Sequence, residues 1–450
     1  MGCTELRNAA GKVHPRRKAP LSCIRSRGYS GRNASDMIEG FSPCAGRTLS
    51  TMNWLARLAP VLFLAACAAA RAQWDLQDSH TTADLRGIDN VGNGVAWASG
   101  TNGTVLRTED GGYLWQSCSI PPGAEHLDFR GIQAFDANTA IVMSSGKGDL
   151  SRLYKTTDGC QTWKLVFTNP DKDGFWDAIV MTDRNIGEVI GDPVLAGMEA
   201  EGLALRKSRF VFPTYHTIDG GQRWSRNDHN RLSAHVGKGS QPSEAIFAAS
   251  NSSLLLLPYI ELFVTGGPES GLRDSQYFFG ETPDSCHDAC DHVTESDSVL
   301  ASGDTAGGFS LAANQHFSFN GEGVPSSLII LVVGGDYKLP DGTAGNAEIC
   351  RPQKAGALVR FKCDNPATHP HGYRSAVAYY AASKTWITVG PNGTDISTDD
   401  GKNWRALHPD TALHETPDAD RNWNALSLPF VVGPHGRIGI LRDSALAPHK

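Results

Sequence analysis

Four copies of one eight-residue pattern constrain the fold of this chain more than any other feature. Each copy has a Ser or Thr, an Asp two residues later and a Trp five residues after the Asp. Three copies have Gly two residues after the Asp, and the second has Cys160 there. Four such octapeptides indicate a repeat architecture. The copies are TEDGGYLW (Thr108, Asp110, Gly112, Trp115), TTDGCQTW (Thr156, Asp158, Cys160, Trp163), TIDGGQRW (Thr217, Asp219, Gly221, Trp224) and STDDGKNW (Ser397, Asp399, Gly401, Trp404).

The pattern is typical of a β-hairpin turn. An Asp side chain can accept hydrogen bonds from nearby backbone N–H groups, and Gly tolerates a positive φ because it has no Cβ. The Trp then begins the outgoing strand and buries a large apolar surface. We therefore interpret the four Asp residues as turn residues rather than as catalytic acids or calcium ligands.

In these four segments the chain resembles the Asp-box, or BNR, repeat of sialidases, sortilin-type receptors and photosystem II assembly factors. In those families the box joins the third and fourth strands of a propeller blade. The resemblance therefore implies an all-β chain built from four-stranded blades.

The spacing of the boxes predicts the number of blades. The Asp residues stand at positions 110, 158, 219 and 399, so the steps are 48, 61 and 180 residues. Because the last step is three times 60, two blades without a recognisable box are expected near the loops at 281–292 and 341–363. Seven strand openings support the same count. They are LRGID at Leu85, FRGIQAF at Phe129, FWDAIV at Phe175, SEAIFAAS at Ser243, GGFSLAA at Gly307, YRSAVAY at Tyr373 and WNALSL at Trp423.

The last sector is one strand short. After Trp423 the chain has room for three strands, and the segment from Gln73 to Thr81 precedes the first opening. This N-terminal segment can supply the fourth strand, which would close the ring and remove the exposed sheet edges. The predicted fold is a seven-bladed β-propeller over residues 73–450, with the last blade closed by the N-terminal strand.

The N-terminal region reads as a targeting segment rather than as part of the fold. Residues 52–72, MNWLARLAPVLFLAACAAARA, have an early Arg, a short apolar stretch and an Ala-rich end, which is typical of a secretory signal peptide. The protein is therefore expected to be exported, periplasmic or secreted. An alternative is a lipoprotein anchored at Cys67, because Leu64 to Cys67 resembles a lipobox. Residues 1–51 are basic and lack an apolar period, and are interpreted as disordered or as sequence upstream of the true start at Met52.

Composition excludes some classes of partner. Residues 73–450 carry fifteen more acidic than basic residues, which disfavours nucleic acid because neutralising phosphates requires clustered Lys and Arg. No stretch reads as a transmembrane span. We expect a monomer with no metal and no cofactor; the CHDACDH segment at Cys286 to His292 does not match the spacing of a structural zinc site well.

Six cysteines remain after the signal segment, and an even number in an exported chain favours disulfides. Six cysteines allow fifteen connectivities. The pairings to test first are Cys118 with Cys160, Cys286 with Cys290, and Cys350 with Cys363.

Two longer segments narrow the resemblance. VAWASGTNGTVLRTEDGGYLW at Val95 to Trp115 and WITVGPNGTDISTDDGKNW at Trp386 to Trp404 are similar to the photosystem II stability/assembly factor family and its bacterial relatives. In the photosynthetic members the propeller binds an assembling membrane protein. The resemblance implies a non-catalytic propeller that binds a protein or peptide at its central-channel face and assists assembly of an envelope complex.

The seven strand openings supply the candidate ligand-binding residues, because the innermost strand of each blade lines the channel. Three arginines occupy matching positions in the first, second and sixth sectors, and their guanidinium groups could grip a carboxylate bidentately. Alternatively, these arginines pair with Asp177 or Glu244 and solvate the channel. The candidates are Arg86, Arg130, Asp177, Glu244, Ser310, Arg374 and Asn424.

A catalytic alternative comes from the same resemblance. Sialidases share the box, bind sialic acid through three arginines and use a Tyr nucleophile with a Glu, plus an Asp acid/base. Here Arg86, Arg130 and Arg374 could correspond to the arginine triad, with Tyr373, Glu244 and Asp177 as conceivable partners. However, the Arg-Ile-Pro signature of sialidases is absent near the N-terminus, and seven sectors replace their six. We therefore prefer a non-catalytic function and keep a sialidase-like glycoside hydrolase as the alternative.

Overall fold

The computed structural model describes most of the chain from Gln73 onward, within the unit Cys67–Lys450. Residues 1–72, which include the predicted signal peptide and Cys67, lie outside the described residues, and so does the Cys286–Cys290 pair. No helix of the described segments is long and apolar enough to cross a membrane. The described ranges are 73–195, 210–227, 232–237, 241–258, 260–276, 292–296, 298–314, 318–319, 325–355, 358–409 and 415–446.

Nearly all regular structure in these ranges is β-strand, with short 3₁₀ turns such as Gly148–Leu150 and Asp443–Leu446. After β1 (Trp74–Gln77), three four-stranded antiparallel sheets follow one another along the chain. The first contains β2 (Leu85–Gly92), β3 (Val95–Gly100), β4 (Val105–Thr108) and β5 (Gln116–Ser117); the second contains β6 (Phe129–Ala134), β7 (Ala140–Ser144), β8 (Arg152–Thr156) and β9 (Lys164–Thr168). The third contains β10 (Trp176–Met181), β11 (Gly187–Gly191), β14 (Thr214–Thr217) and β15 (Ser225–Arg226), while β12 (Val194–Leu195) and β13 (Phe210–Val211) pair separately.

The middle of the chain forms two runs of four strands joined into one larger sheet. The runs meet where Gly266 pairs with Gly307 and Gly267 with Gly303. A Cβ on Gly307 would lie 2.2 Å from the Cα of Gly266, so this approach of the two backbones requires glycine. The strands are β16 (Leu254–Leu257), β17 (Ile260–Gly267), β18 (Gly271–Gln276) and β19 (His292–Glu295), then β20 (Gly303–Ala313), β23 (Ile330–Asp336), β24 (Ala347–Ala355) and β25 (Leu358–Asp364), with a separate pair β21 (Ser318–Phe319) and β22 (Pro325–Ser326).

The last sheet combines the two ends of the described chain. Strand β1 pairs antiparallel with β32, with Trp74 opposite Leu441 and Gln77 opposite Ile438. The sheet order is β1, β32, β31, β30. The remaining strands are β26 (Ala376–Tyr380), β27 (Thr385–Gly390), β28 (Gly393–Ser397) and β29 (Arg405–Leu407), which form their own sheet, and β30 (Ala425–Ser427), β31 (Phe430–Val432) and β32 (Ile438–Leu441).

Successive four-stranded antiparallel sheets are the arrangement of a β-propeller. We call the first strand of each run the inner strand. Each inner strand contacts the next, in the order β2, β6, β10, β16, β20, β26 and β30, and β30 also contacts β2.

Polar side chains connect neighbouring inner strands by bonding to backbone N–H groups. The Asp89 carboxylate on β2 accepts a hydrogen bond from Ala134 N–H on β6 (2.7 Å). Each such bond contributes roughly 1 kcal/mol net to stability. Four further bonds follow the same rule: Gln133 accepts from Met181 N–H (2.8 Å), Asn251 from Ile179 N–H (2.8 Å), Ser310 from Val377 N–H (3.0 Å) and Ser427 from Asn90 N–H (3.0 Å).

The four repeated turns connect the third and fourth strands of their sheets. In the first, the Thr108 hydroxyl donates to Asp110 Oδ1 (2.8 Å) and accepts from Gly112 N–H (3.0 Å), while Asp110 Oδ1 accepts from Leu114 N–H (3.0 Å). The other three turns repeat this pattern. A side-chain hydrogen bond from Thr162 to Asp158, and one from Arg223 to Asp219, act together with the backbone bonds of the turns and lower the pKa of each carboxylate to about 2. Both carboxylates are therefore ionised and committed to their turns at neutral pH.

The fifth residue of each octapeptide, two positions after the Asp, faces the neighbouring sheet and adopts a positive φ. The φ values are +93° at Gly112, +63° at Cys160, +79° at Gly221 and +79° at Gly401. A Cβ on Gly112, Gly221 or Gly401 would lie within 2.7 Å of Ile440, Ile141 or Leu331, respectively. The Trp that ends each motif is buried, and Trp115 packs edge-on against Phe430 with ring centroids 5.7 Å apart. The turns therefore lock adjacent sheets together.

Two of the predicted disulfides are present in the described residues, Cys118–Cys160 and Cys350–Cys363. Cys160 occupies the turn position where the other copies have Gly, and it bonds to Cys118 just after β5. The disulfide thus makes covalently the contact with the preceding sheet that the other turns make by packing.

The β1–β32 pairing predicts a large stability cost at Trp74. This side chain is 1% exposed, donates from its indole N–H to Thr394 Oγ1 (3.1 Å) and packs against Trp423. Trp74→Ala should lower the free energy of unfolding by about 3–5 kcal/mol, because it leaves a large cavity. Leu76→Ala is the control on the same strand, because Leu76 is 41% exposed. Denaturant unfolding of both variants checks this, and a Trp74→Ala loss no larger than that of the control would contradict it.

Candidate functional site

Four inner strands carry a β-bulge, which lies near the start of β2, β6 and β10 and in the middle of β20. The register shift leaves one residue of the bulge without a partner on the next strand, and such a bulge re-aims the side chain. The bulged residues are Arg86 on β2, Arg130 on β6, Asp177 on β10 and Phe309 on β20.

Arg86 and Arg130 share one carboxylate. Arg86 Nε lies 3.1 Å from Asp128 Oδ1, and Arg130 Nε donates to Asp128 Oδ2 at 2.8 Å. The two arginine side chains are 27% and 29% exposed. Two cations against one anion leave an excess positive charge, and within the described residues the Nη atoms of Arg86 make no hydrogen bond.

Arg130 also reaches beyond the neighbouring sheet. Its Nη1 donates to the carbonyl of Ala248 at 3.0 Å. Ala248 lies between the isolated bridge Ala245–Gly266 and the start of β16 at Leu254. The sequence predicts that an inner strand starts at residues 243–250. In the structure only Ala245 of this segment forms a β-bridge, and the inner strand β16 begins later, at Leu254. Residues 243–250 therefore form an insertion before the strand. This insertion meets an arginine from two sheets earlier.

Asp177 is a buried acid within electrostatic range of Arg130. Its side chain is 1% exposed, and burial and the neighbouring Asp192 raise the pKa of Asp177 well above its usual range, against the opposing effect of Arg130. Burial also raises the pKa of Asp192 to about 6. Burial therefore disfavours the ionised form of Asp177.

An aromatic cluster adjoins the same insertion. Phe247, next to Ala248, stacks on Phe309 with ring centroids 4.3 Å apart, and Phe309 meets Tyr373 edge-on at 4.8 Å. Tyr337 contacts both phenylalanines and is 46% exposed. Burial raises the pKa of Tyr373 above its ordinary value, so its phenol stays protonated. We call Phe247, Phe309, Tyr337 and Tyr373 the aromatic cluster.

Arg374 has a different set of partners. Its side chain is fully buried, its Nε donates to Asp395 Oδ2 (2.8 Å) and its Nη1 donates to Asn392 Oδ1 (2.6 Å). His371 Nδ1 lies 2.8 Å from Asp395 Oδ1 and also contacts the guanidinium. Arg374 is therefore held within its own sector, away from the Asp128 carboxylate shared by the other two arginines.

The other sequence candidates also have specific partners. The buried Glu244 carboxylate pairs with Arg273 (Oε1 to Nη2, 2.6 Å) and accepts from His235 N–H (2.7 Å). Ser310 is buried. Its hydroxyl forms a hydrogen bond with the Ser252 hydroxyl (2.7 Å) and accepts one from Val377 N–H on β26. Asn424 Nδ2 donates to the Leu85 carbonyl (2.8 Å). These three residues connect elements of the fold.

Several residues of the site do not follow from the sequence candidates. Asp128 is signalled only by a repeat, because DLRGI at 84–88 and DFRGI at 128–132 share an Asp two residues before the Arg. The bulged residue of β20 is Phe309, one position before Ser310. Phe247 and Tyr337 have no local pattern that marks them, since Phe247 lies in the insertion before β16 and Tyr337 follows β23, far away in sequence.

The arrangement places hydrogen-bond donors for an anion beside an apolar surface. Arg86 and Arg130 offer guanidinium N–H groups, which bind carboxylates strongly. The aromatic cluster offers apolar surface for a side chain. Tyr373 and Glu244, the partners that the glycosidase alternative requires, are engaged in an aromatic contact and an ion pair respectively.

No protein-family model matches this chain, and no curated protein matches its sequence. Similar solved structures include YCF48 bound to D1 peptide and YCF48 from Cyanidioschyzon merolae, each 16% identical with a TM-score of 0.48, covering 82% of this chain and 97% and 99% of those chains. The WD40 beta propeller domain of Doa1 is 9% identical with a TM-score of 0.47, covering 84% of this chain and 99% of that one. These scores are too low to support an inference about function.

The partners of Arg374 predict that it is a structural residue. Arg374→Met should lower the free energy of unfolding by about 3–5 kcal/mol, because it removes one partner of a buried ion pair and leaves Asp395 uncompensated. Arg421→Met is the matched control, since the Arg421 side chain is 58% exposed, and it should change stability by less than about 0.5 kcal/mol. Equal unfolding midpoints for the two variants in urea would contradict the structural role.

Proposed function

We propose that this protein is a non-catalytic β-propeller that binds a peptide carboxylate at the inner-strand bulges. The observation that carries the proposal is the shared ion pair, in which Arg86 and Arg130 flank the single carboxylate of Asp128. A ligand carboxylate can bond to the uncommitted guanidinium nitrogens and neutralise the excess charge. A free peptide C-terminus or an acidic side chain has this chemistry.

The aromatic cluster supports a peptide rather than a small anion. Arg130 donates to Ala248, and the neighbouring Phe247 belongs to the cluster. A ligand that reaches from the arginines to Phe247 and Tyr337 needs an apolar or aromatic group close to its carboxylate. A peptide ending in an apolar residue meets both requirements, and aromatic contacts of this kind contribute about 0.5–1.5 kcal/mol beyond burial.

The proposal includes seven blades in a closed ring. Seven inner strands contact one another in sequence, β30 contacts β2, and β1 completes the sheet of β30–β32. On this proposal the larger middle sheet consists of two blades, β16–β19 and β20 with β23–β25. The repeated turns are then Asp-boxes on the periphery, and the bulges lie at the channel.

Export and a role in assembly complete the proposed function. The signal-peptide pattern of residues 52–72 and the paired cysteines support an oxidising compartment outside the cytosol. A carboxylate-reading propeller there could hold an exposed peptide end of an envelope protein until that protein is assembled. The partner is accordingly a protein or peptide.

Paired peptide libraries test this function directly. Each peptide is synthesised once with a free C-terminal carboxylate and once as the C-terminal amide, and binding to the purified protein is measured by fluorescence polarisation. Peptide acids with an apolar last residue should bind. The Arg86→Ala/Arg130→Ala variant should bind them at least about tenfold more weakly, because it loses charge-assisted hydrogen bonds of about 1.5–3 kcal/mol.

Arg223→Ala is the matched control, because the Arg223 side chain is 89% exposed on a peripheral turn. Its affinity for the same peptides should equal that of the wild type. Acids and amides that bind equally well, or a double variant with unchanged affinity, would refute carboxylate recognition at this site. Turnover of fluorogenic sialosides by the wild type would instead establish the glycosidase alternative.

A further inference from the structure

Cys350 and Cys363 lie directly opposite each other on β24 and β25, and Glu348 lies two residues before Cys350. Because side chains alternate along a strand, Glu348 and Cys350 project from the same face. A Glu348 carboxylate oxygen and the two sulfur atoms all lie within 4.8 Å of one another. The disulfide therefore has a carboxyl oxygen within 4.8 Å of both sulfur atoms.

Glu348 is completely buried. Its Oε2 accepts hydrogen bonds from Val299 N–H (3.0 Å) and from the Ser298 hydroxyl (3.0 Å). Its other oxygen, Oε1, is also buried and has no hydrogen-bond partner among the described residues. Oε2 is thus fixed by two hydrogen bonds, while Oε1 makes none with the described residues.

Burial raises the pKa of Glu348 to about 7, and the two hydrogen bonds at Oε2 limit this increase. Two ion pairs engage titratable groups on or near the elements packed against Glu348. Lys362 and Asp364 on β25 form an exposed pair with each other, and Arg273, which lines a cleft together with Ser298, pairs with Glu244. At neutral pH the Glu348 carboxyl therefore holds a proton for part of the time.

Reduction of a buried disulfide is limited by the thiolate it releases. Cys350 is fully buried and Cys363 is 5% exposed, so an incoming thiolate reaches Cys363 more easily. Cleavage then releases the Cys350 thiolate into an apolar interior, where an isolated charge is costly. A carboxyl group within 4.8 Å removes that cost by transferring its proton.

Ser298 also faces a solvent cleft. The cleft has a volume of about 340 Å³ and is lined by His235, Glu269, Ser270, Gly271, Leu272, Arg273, Ser296 and Ser298. Ser298 thus connects the cleft with the carboxyl group, and it donates the hydrogen bond that fixes Oε2.

We propose that Cys350, Cys363 and Glu348 form a thiol–disulfide exchange site whose partner is a dithiol. A thiolate of the dithiol attacks Cys363 Sγ, the Cys350–Cys363 bond breaks, and the Cys350 sulfur takes the proton of Glu348. The second thiolate of the dithiol then attacks the mixed disulfide and releases Cys363, which takes a proton from solvent. The protein gains two electrons and two protons, the dithiol becomes a disulfide, and Glu348 is reprotonated from solvent.

The second disulfide of the same molecule serves as the internal control. Among the described residues, no carboxylate forms a comparable cluster with Cys118 and Cys160. Reduction of both disulfides by dithiothreitol is followed in the full-length protein from pH 5.5 to 9, by timed alkylation and peptide mass spectrometry. The thiolate concentration of dithiothreitol rises with pH and affects both reductions equally. The ratio of the two rate constants is therefore independent of it.

In the wild type, the rate ratio of Cys350–Cys363 to Cys118–Cys160 should fall as the pH rises through about 7, because Glu348 loses its proton there. Glu348→Gln removes the transferable proton, so the ratio should become independent of pH. At pH 6 it should decrease on the order of a hundredfold, the usual scale of general acid catalysis. A wild-type ratio that does not change with pH, or a Gln variant with the wild-type profile, would overturn the proposal.

Ser298→Ala keeps the acid and tests its position. Losing the hydrogen bond at Oε2 should raise the pKa of Glu348, so the fall in the rate ratio should move to higher pH while its size is retained. A purely structural Glu348 would give no such displacement. If Glu348→Gln does not fold, the test rests on Ser298→Ala. In that folded variant, a rate ratio that falls at the same pH as in the wild type would contradict the proton-donor role.

Discussion

The antiparallel pairing of β1 with β32 is the constraint on which the other sheets depend. It places the first strand of the described chain in the same sheet as the last three. Without β1, the edge of β32 would be open and Trp74 would leave a large void against Trp423. Because β30 contacts β2, the order of all the inner strands depends on where this last sheet is held.

The repeated turns and the inner-strand bulges perform different tasks. The repeated turns use a hydroxyl, an Asp and a buried Trp to fix adjacent sheets, and their carboxylates are occupied by backbone N–H groups. Each bulge on an inner strand presents a side chain from a residue that has no partner on the neighbouring strand. Arg86 and Arg130 occupy such bulges, so their direction is set by the backbone, while the Nη atoms of Arg86 make no hydrogen bond with the described residues. Recognition is therefore proposed at the bulges rather than at the conspicuous motif.

The sequence predicts features that are encoded within a few residues. The turns are visible because Thr108, Asp110 and Trp115 act within one octapeptide, and the all-β character follows from their repetition. Long-range partners are less visible: Asp128 joins two arginines from different strands, and Arg374 matches them in sequence position but is held by Asp395. The sequence pattern also places the start of β16 too early, because an insertion after Ala245 moves the strand to Leu254. These outcomes depend on how separate sheets meet, which local patterns do not specify.

A crystal structure of the protein with its tightest-binding peptide acid tests the central claim most directly. We expect the peptide carboxylate within about 3 Å of a guanidinium nitrogen of Arg86 or Arg130. The last side chain of the peptide should contact Phe247 or Tyr337. A peptide bound instead along the peripheral turns, or with its carboxylate away from both arginines, would contradict the account.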